Sequence, residues 1–158
     1  KRSLAYSAQS FYSTPGDKDG YFINHAIIAT QNDKLVDALN AFNELFDQMP
    51  VAESNFQLAK DAEINSIRTS RTTKMGIINS YLYYEKMGFD TKKKTRAQIL
   101  FEAYPNVTMQ NVIDFNHKYI KGQKKVYMCL GKEADMNFDE LGKFGKVKKL
   151  TLEDIFGY

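Results

Sequence analysis

Few residues of this chain are of a type that does chemistry, and their spacing narrows the choice. There are two histidines, His25 and His117, and one cysteine, Cys129. His25 is followed by Ala26-Ile27-Ile28-Ala29 and His117 by Lys118-Tyr119-Ile120-Lys121, so neither opens a paired-histidine metal motif. A metal site built by this chain alone would need carboxylates to complete it. A single cysteine excludes an intrachain disulfide. Between Met128 and Leu130, Cys129 reads as a buried, inert thiol. Tyr81, Tyr83 and Tyr84 could offer a stacking platform for bases or peptides, but helical spacing spreads them around one element and packing accounts for them more cheaply. The lysines at 92–94 and from Lys143 to Lys149 read as solvated surface, and Arg68 and Arg71 as a polar link between helices. Tyr6, in a run of small residues, is by type a half-buried strand tyrosine.

The elements that must position these residues follow from periodicity. Leu4–Ser13 and Tyr21–Thr30 read as strands around a turn-rich stretch holding Pro15, Gly16 and Gly20, which suggests an antiparallel hairpin. The period then changes. Leu35, Ala38, Leu39, Phe42, Leu45 and Phe46 mark a helix near 33–48, stopped by Pro50. Further helices are expected near 54–70, 72–87, 96–103 and 108–120. Ser54 with Gln57 looks like a capping box, Thr108 is a cap, and Gly88 and Gly122 are C-terminal stops. Lys124–Gly131 alternates as a strand covered on both faces, and Lys146–Thr151 as a lysine-protected edge strand. A helical turn is expected at Phe138–Gly142 and a last capped turn from Thr151. The fold class is therefore α+β: an antiparallel or mixed sheet of three to four strands with helices packed on it in two layers. The expected core holds Leu4, Phe22, Ile27, Leu39, Phe42, Leu82, Val112, Phe115, Val126 and Met128.

Composition sets the outer limits. The 158 residues carry 22 basic against 19 acidic side chains, a net charge of +3. That excess is too weak and too scattered for a nucleic-acid footprint. With 43% hydrophobic and 26% charged residues, the chain has a globular composition. Its length fits a single domain spanning 1–158 that buries roughly 70% of its unfolded surface. No apolar run is long enough to span a bilayer. The N-terminus resembles neither a signal peptide nor a natural start, so the chain reads as a piece that begins inside a larger protein.

Lys1-Arg2-Ser3-Leu4-Ala5-Tyr6-Ser7 resembles a segment of the pitrilysin/insulinase-like zinc metallopeptidases, the inverzincins. The later pieces resemble that family in order: the helix start Asn32-Asp33-Lys34-Leu35, the long helix from Ser54 to Ile67, the helix start Thr108-Met109-Gln110-Asn111-Val112, and the closing strand Val126–Gly131. The resemblance covers essentially the whole chain.

It implies a clamshell of related α+β domains. One domain carries an H-x-x-E-H zinc site; a partner domain lacking it forms the opposite wall of the substrate chamber. This chain has no H-x-x-E-H and matches the later, C-terminal portion of the non-catalytic kind. No catalytic and no metal residue is therefore expected here, and zinc is expected in the catalytic partner domain, in cis or in trans. The family also implies an arginine and a tyrosine seven residues apart, directed at bound peptide. Tyr6 matches the tyrosine. The arginine would lie upstream of Lys1, and Arg2, four residues from Tyr6, does not replace it. The partners implied are the zinc-bearing domain and a peptide substrate, with no nucleic acid and no membrane span, and family habit points to a bacterial periplasm or cell envelope. The alternative is a scaffold of the same fold, like the core subunits of respiratory complexes.

Overall fold

The computed structural model describes residues 5–90 and 94–158. Two strands open the chain, β1 (Ser7–Ser13) and β2 (Ile23–Ala29), and they pair as an antiparallel hairpin. Seven helices follow among the described residues: α1 (Leu35–Asp47), α2 (Glu53–Thr69), α3 (Lys74–Lys86), α4 (Arg96–Ala103), α5 (Met109–Tyr119), α6 (Phe138–Gly142) and α7 (Leu152–Phe156). Short 3-10 turns precede α1 at Asn32–Lys34, follow α4 at Tyr104–Asn106 and precede α6 at Glu133–Asp135. The fold is α+β, but mostly helical, with one two-strand hairpin.

The expected sheet of three to four strands is not seen among the described residues. Lys124–Leu130 and Lys146–Leu150 lie in no strand. The first of these was expected to be covered on both faces, yet Val126 and Met128 are each 90% exposed and Leu130 is 103% exposed. A strand forms only when another backbone answers its N–H and C=O groups, and neither stretch is in a sheet among the described residues.

The chain divides into two compact units. The first comprises 1–9, 27–43 and 124–158. Its buried apolar residues are Ala38 and Leu39 on α1 and Leu141 on α6. Tyr127 is fixed there by donating its hydroxyl to Asn43 Oδ1 at 2.7 Å and by an edge-to-face contact with Phe144, centroids 5.6 Å apart. The second unit comprises 10–26 and 44–123. Lys60 of α2 donates to the carbonyls of Pro105 and Val107 at 2.8 and 2.9 Å, which ties the turn between α4 and α5 to α2. Asn116 is the one buried polar residue among those described; its Nδ2 donates to Phe46 O at 3.2 Å, while its Oδ1 has no partner among the described residues.

Several helix ends follow from the sequence. Thr73, Thr95, Thr108 and Thr151 each stand at an N-cap and accept from a backbone N–H three residues on. Gly88 and Gly122 take φ of 76° and 70°, as left-handed helix stops require. Ser54 departs from expectation. The helix begins one residue earlier, Ala52 is its N-cap, and Gln57 donates to Asp61 instead of reaching back.

The expected core is largely not one. Of the ten residues named, Leu39 is buried, and Phe42 and Val112 are half-buried. Phe22, Ile27, Leu82, Phe115, Val126 and Met128 are exposed, and Leu4 lies outside the described residues. The accessible surface is 12940 Å². A compact monomer of this mass would expose about 8,100 Å², and its unfolded chain about 26,000 Å². Roughly half of the unfolded surface is therefore buried, short of the expected 70%. Among the described residues, helical and strand faces that were patterned for burial are only partly covered, as where Tyr12 meets Phe22 and Phe115 and leaves both exposed.

Candidate functional site

Tyr6 is the residue on which the functional expectation rests. It was expected inside a strand beginning at Leu4. The structure places it at a bend immediately before β1, still tied to the hairpin because its N–H donates to Ala29 O at 2.8 Å. The side chain is 78% exposed, which disfavours a packing role. Its hydroxyl oxygen accepts from Gln31 Nε2 at 3.2 Å.

The hairpin beyond Tyr6 alternates as a strand must. On one face Ser10 donates to Asn24 Oδ1 at 3.2 Å, and Tyr12 stacks on Phe22 with centroids 5.7 Å apart. On the other face Phe11 stacks on His25, centroids 4.8 Å apart and planes 16° apart. The face that carries Ser10 thus also carries the Tyr12–Phe22 aromatic pair. The connecting loop is tight where Gly20 meets Pro15: a Cβ at Gly20 would stand 2.4 Å from that of Pro15, so a side chain there would force the loop apart.

The remaining chemistry-bearing residues are dispersed. His25 is half-buried against Phe11, and His117 is exposed on α5. Among the described residues, no three His, Cys, Asp or Glu side chains gather as a metal ion would require. Cys129 was expected to be buried; it is exposed, because the strand that would have covered it is not formed. Neighbouring protein atoms still desolvate its thiol enough to push it above the ordinary thiol value, which works against an activated thiolate.

Tyr83 donates its hydroxyl towards Thr14 Oγ1 and Pro15 O, at 3.0 and 3.2 Å, and packs edge-on against Tyr84. Arg96 lies over the Tyr84 ring at 5.6 Å and Arg68 over Phe101 at 5.4 Å. Tyr83 and Tyr84 pack, as their helical spacing implied, while Arg68, expected in a polar link between helices, lies in the last turn of α2 and only Arg71 stands in the link. Of the lysine runs, Lys92 and Lys93 lie outside the described residues, while Lys94, Lys143 and Lys149 pair with Glu102, Glu140 and Glu133.

What sequence reading missed is Gln31. Nothing in its type or spacing singles it out, because its partner Tyr6 stands 25 residues away and meets it only through the hairpin.

No protein-family model, no curated protein and no solved structure matches this chain.

Proposed function

We propose that this chain is the later part of a non-catalytic domain in a pitrilysin-like zinc metallopeptidase. There it forms the chamber wall opposite the zinc-bearing domain and contacts the bound peptide through Tyr6. The observation that carries the reading is the Tyr6 side chain: exposed, held by its own backbone at the base of a hairpin, and hydrogen-bonded at its oxygen from one side. A phenol so held can donate to a peptide carbonyl, or to the negative charge that grows on that oxygen during hydrolysis. The zinc and the water it activates belong to the partner domain. This chain supplies wall, donor and orientation.

The large exposed surface supports a part that works within a larger body. Chains that fold alone rarely leave so many large apolar side chains uncovered. The same observation favours the second reading, an assembly scaffold of the same fold without peptidase chemistry.

The test is Tyr6→Phe in the complete peptidase, which keeps the ring and removes only the hydroxyl. The expected outcome is a fall in kcat of roughly 10- to 1000-fold with little change in KM or stability. Lost stability with unchanged turnover per folded molecule would make Tyr6 a packing residue. A parent protein without any H-x-x-E-H domain, in the same polypeptide or in a partner, would favour the scaffold.

A further inference from the structure

We infer that Gln31 is a positioning residue for the Tyr6 phenol, setting the direction in which that phenol donates. The inference rests on the reading of Tyr6 as a peptide contact and goes one residue beyond it. A neutral phenol has one proton to give and an oxygen that accepts. Gln31 Nε2 donates to that oxygen at 3.2 Å. The phenol proton is therefore not spent on Gln31 and remains available to a peptide carbonyl. Accepting a hydrogen bond also polarises the O–H that donates onward.

The geometry that holds Gln31 is anchored at several points. Ala29, two residues before it, accepts the Tyr6 N–H, so the backbones of the pair are joined beside the side-chain contact. Gln31 O accepts from Lys34 N at 3.0 Å, which closes the 3-10 turn over it. The next residue, Asn32, donates its Nδ2 to Asp135 Oδ2 at 3.3 Å. Asn32 also lies so close to Gly131 that a Cβ there would come within 2.9 Å of its Oδ1 and 2.7 Å of Met136 Cε. The turn carrying Gln31 is thus fixed from the far end of the chain. Between two exposed side chains the bond is worth little to stability, which makes its loss readable in turnover without unfolding. A peptide lying over the pair would exclude water and strengthen it.

The experiment is a double-mutant cycle in the complete peptidase, with thermal stability recorded for each variant. Gln31→Met removes the donor at similar length. Gln31→Glu puts an acceptor there, which would take the phenol proton. With Tyr6 present, Gln31→Met should lower kcat about 3- to 10-fold at unchanged KM and stability, and Gln31→Glu should lower it further. In a Tyr6→Phe background neither should lower it again, because the group they act through is gone. The same loss from Gln31→Met with and without the hydroxyl, or no loss with it, would overturn the inference while leaving Tyr6 a peptide contact. If Tyr6→Phe itself left kcat unchanged, the peptide-contact reading and this inference would fall together.

Discussion

Helices α2 to α5 and the two lysine-flanked stretches Lys124–Leu130 and Lys146–Leu150 were all patterned for regular structure, yet only the helices became it. A helix answers its backbone groups within itself, and three of these four helices cap their first turn with a threonine of their own. Lys124–Leu130 is patterned as a strand and has no second strand among the described residues, so its alternation survives only as exposure. Tyr127 points inward to Asn43 and Phe144, while Val126, Met128 and Leu130 point to solvent. Local satisfaction makes an element independent; a strand stays conditional on its neighbour.

Hydrogen exchange should draw that contrast most sharply. In the chain alone, amides of Val126, Met128 and Leu130 should exchange at rates close to those of an unstructured peptide. Amides in the middle of α2 and α5 should be slower by at least ~100-fold. Equal protection in both regions would end the comparison.

Core substitutions come next in size. Leu39→Ala, at a buried site on α1, should cost about 2–3 kcal/mol in urea unfolding. Leu130→Ala, at a fully exposed one, should stay within about 0.5 kcal/mol. A large cost at Leu130 would mean that this stretch is covered in solution.

Capping provides a finer test. Thr108→Ala should cost about 1 kcal/mol, because its hydroxyl accepts from Asn111 N at 3.3 Å and donates to Asn111 Oδ1 at 2.9 Å. Ser54→Ala, inside the first turn of α2 and not its cap, should cost almost nothing.

The smallest effect is the pH response of α7. Thr151 donates its N–H and hydroxyl to Asp154 Oδ2 at 2.9 and 3.0 Å, which holds that carboxyl below its ordinary value of 3.8. A depressed carboxyl contributes its support above the unfolded value and loses it as pH falls through the folded one. NMR shifts of Leu152 to Phe156 should therefore stay constant at neutral pH and move towards coil values only under acid, below pH 3.8. Thr151→Val should bring that midpoint up towards the ordinary aspartate value.

The sequence by itself determined the opening hairpin followed by helices, the five long helices to within two residues, and most of their ends, because helix periodicity and capping are contained in residues three and four apart. It also determined the hairpin, where a turn lies between two β-rich runs. It marked Tyr6 only through resemblance. The tertiary structure decided what depends on distant partners: that Lys124–Leu130 joins no strand among the described residues, that Phe22, Leu82 and Phe115 are exposed, and that Gln31 meets Tyr6. Apolar patterning says which face seeks burial, but whether another surface arrives to cover it is a fact of three dimensions. So is a hydrogen bond between residues 25 apart, since neither side chain carries a sign of the other until the hairpin folds.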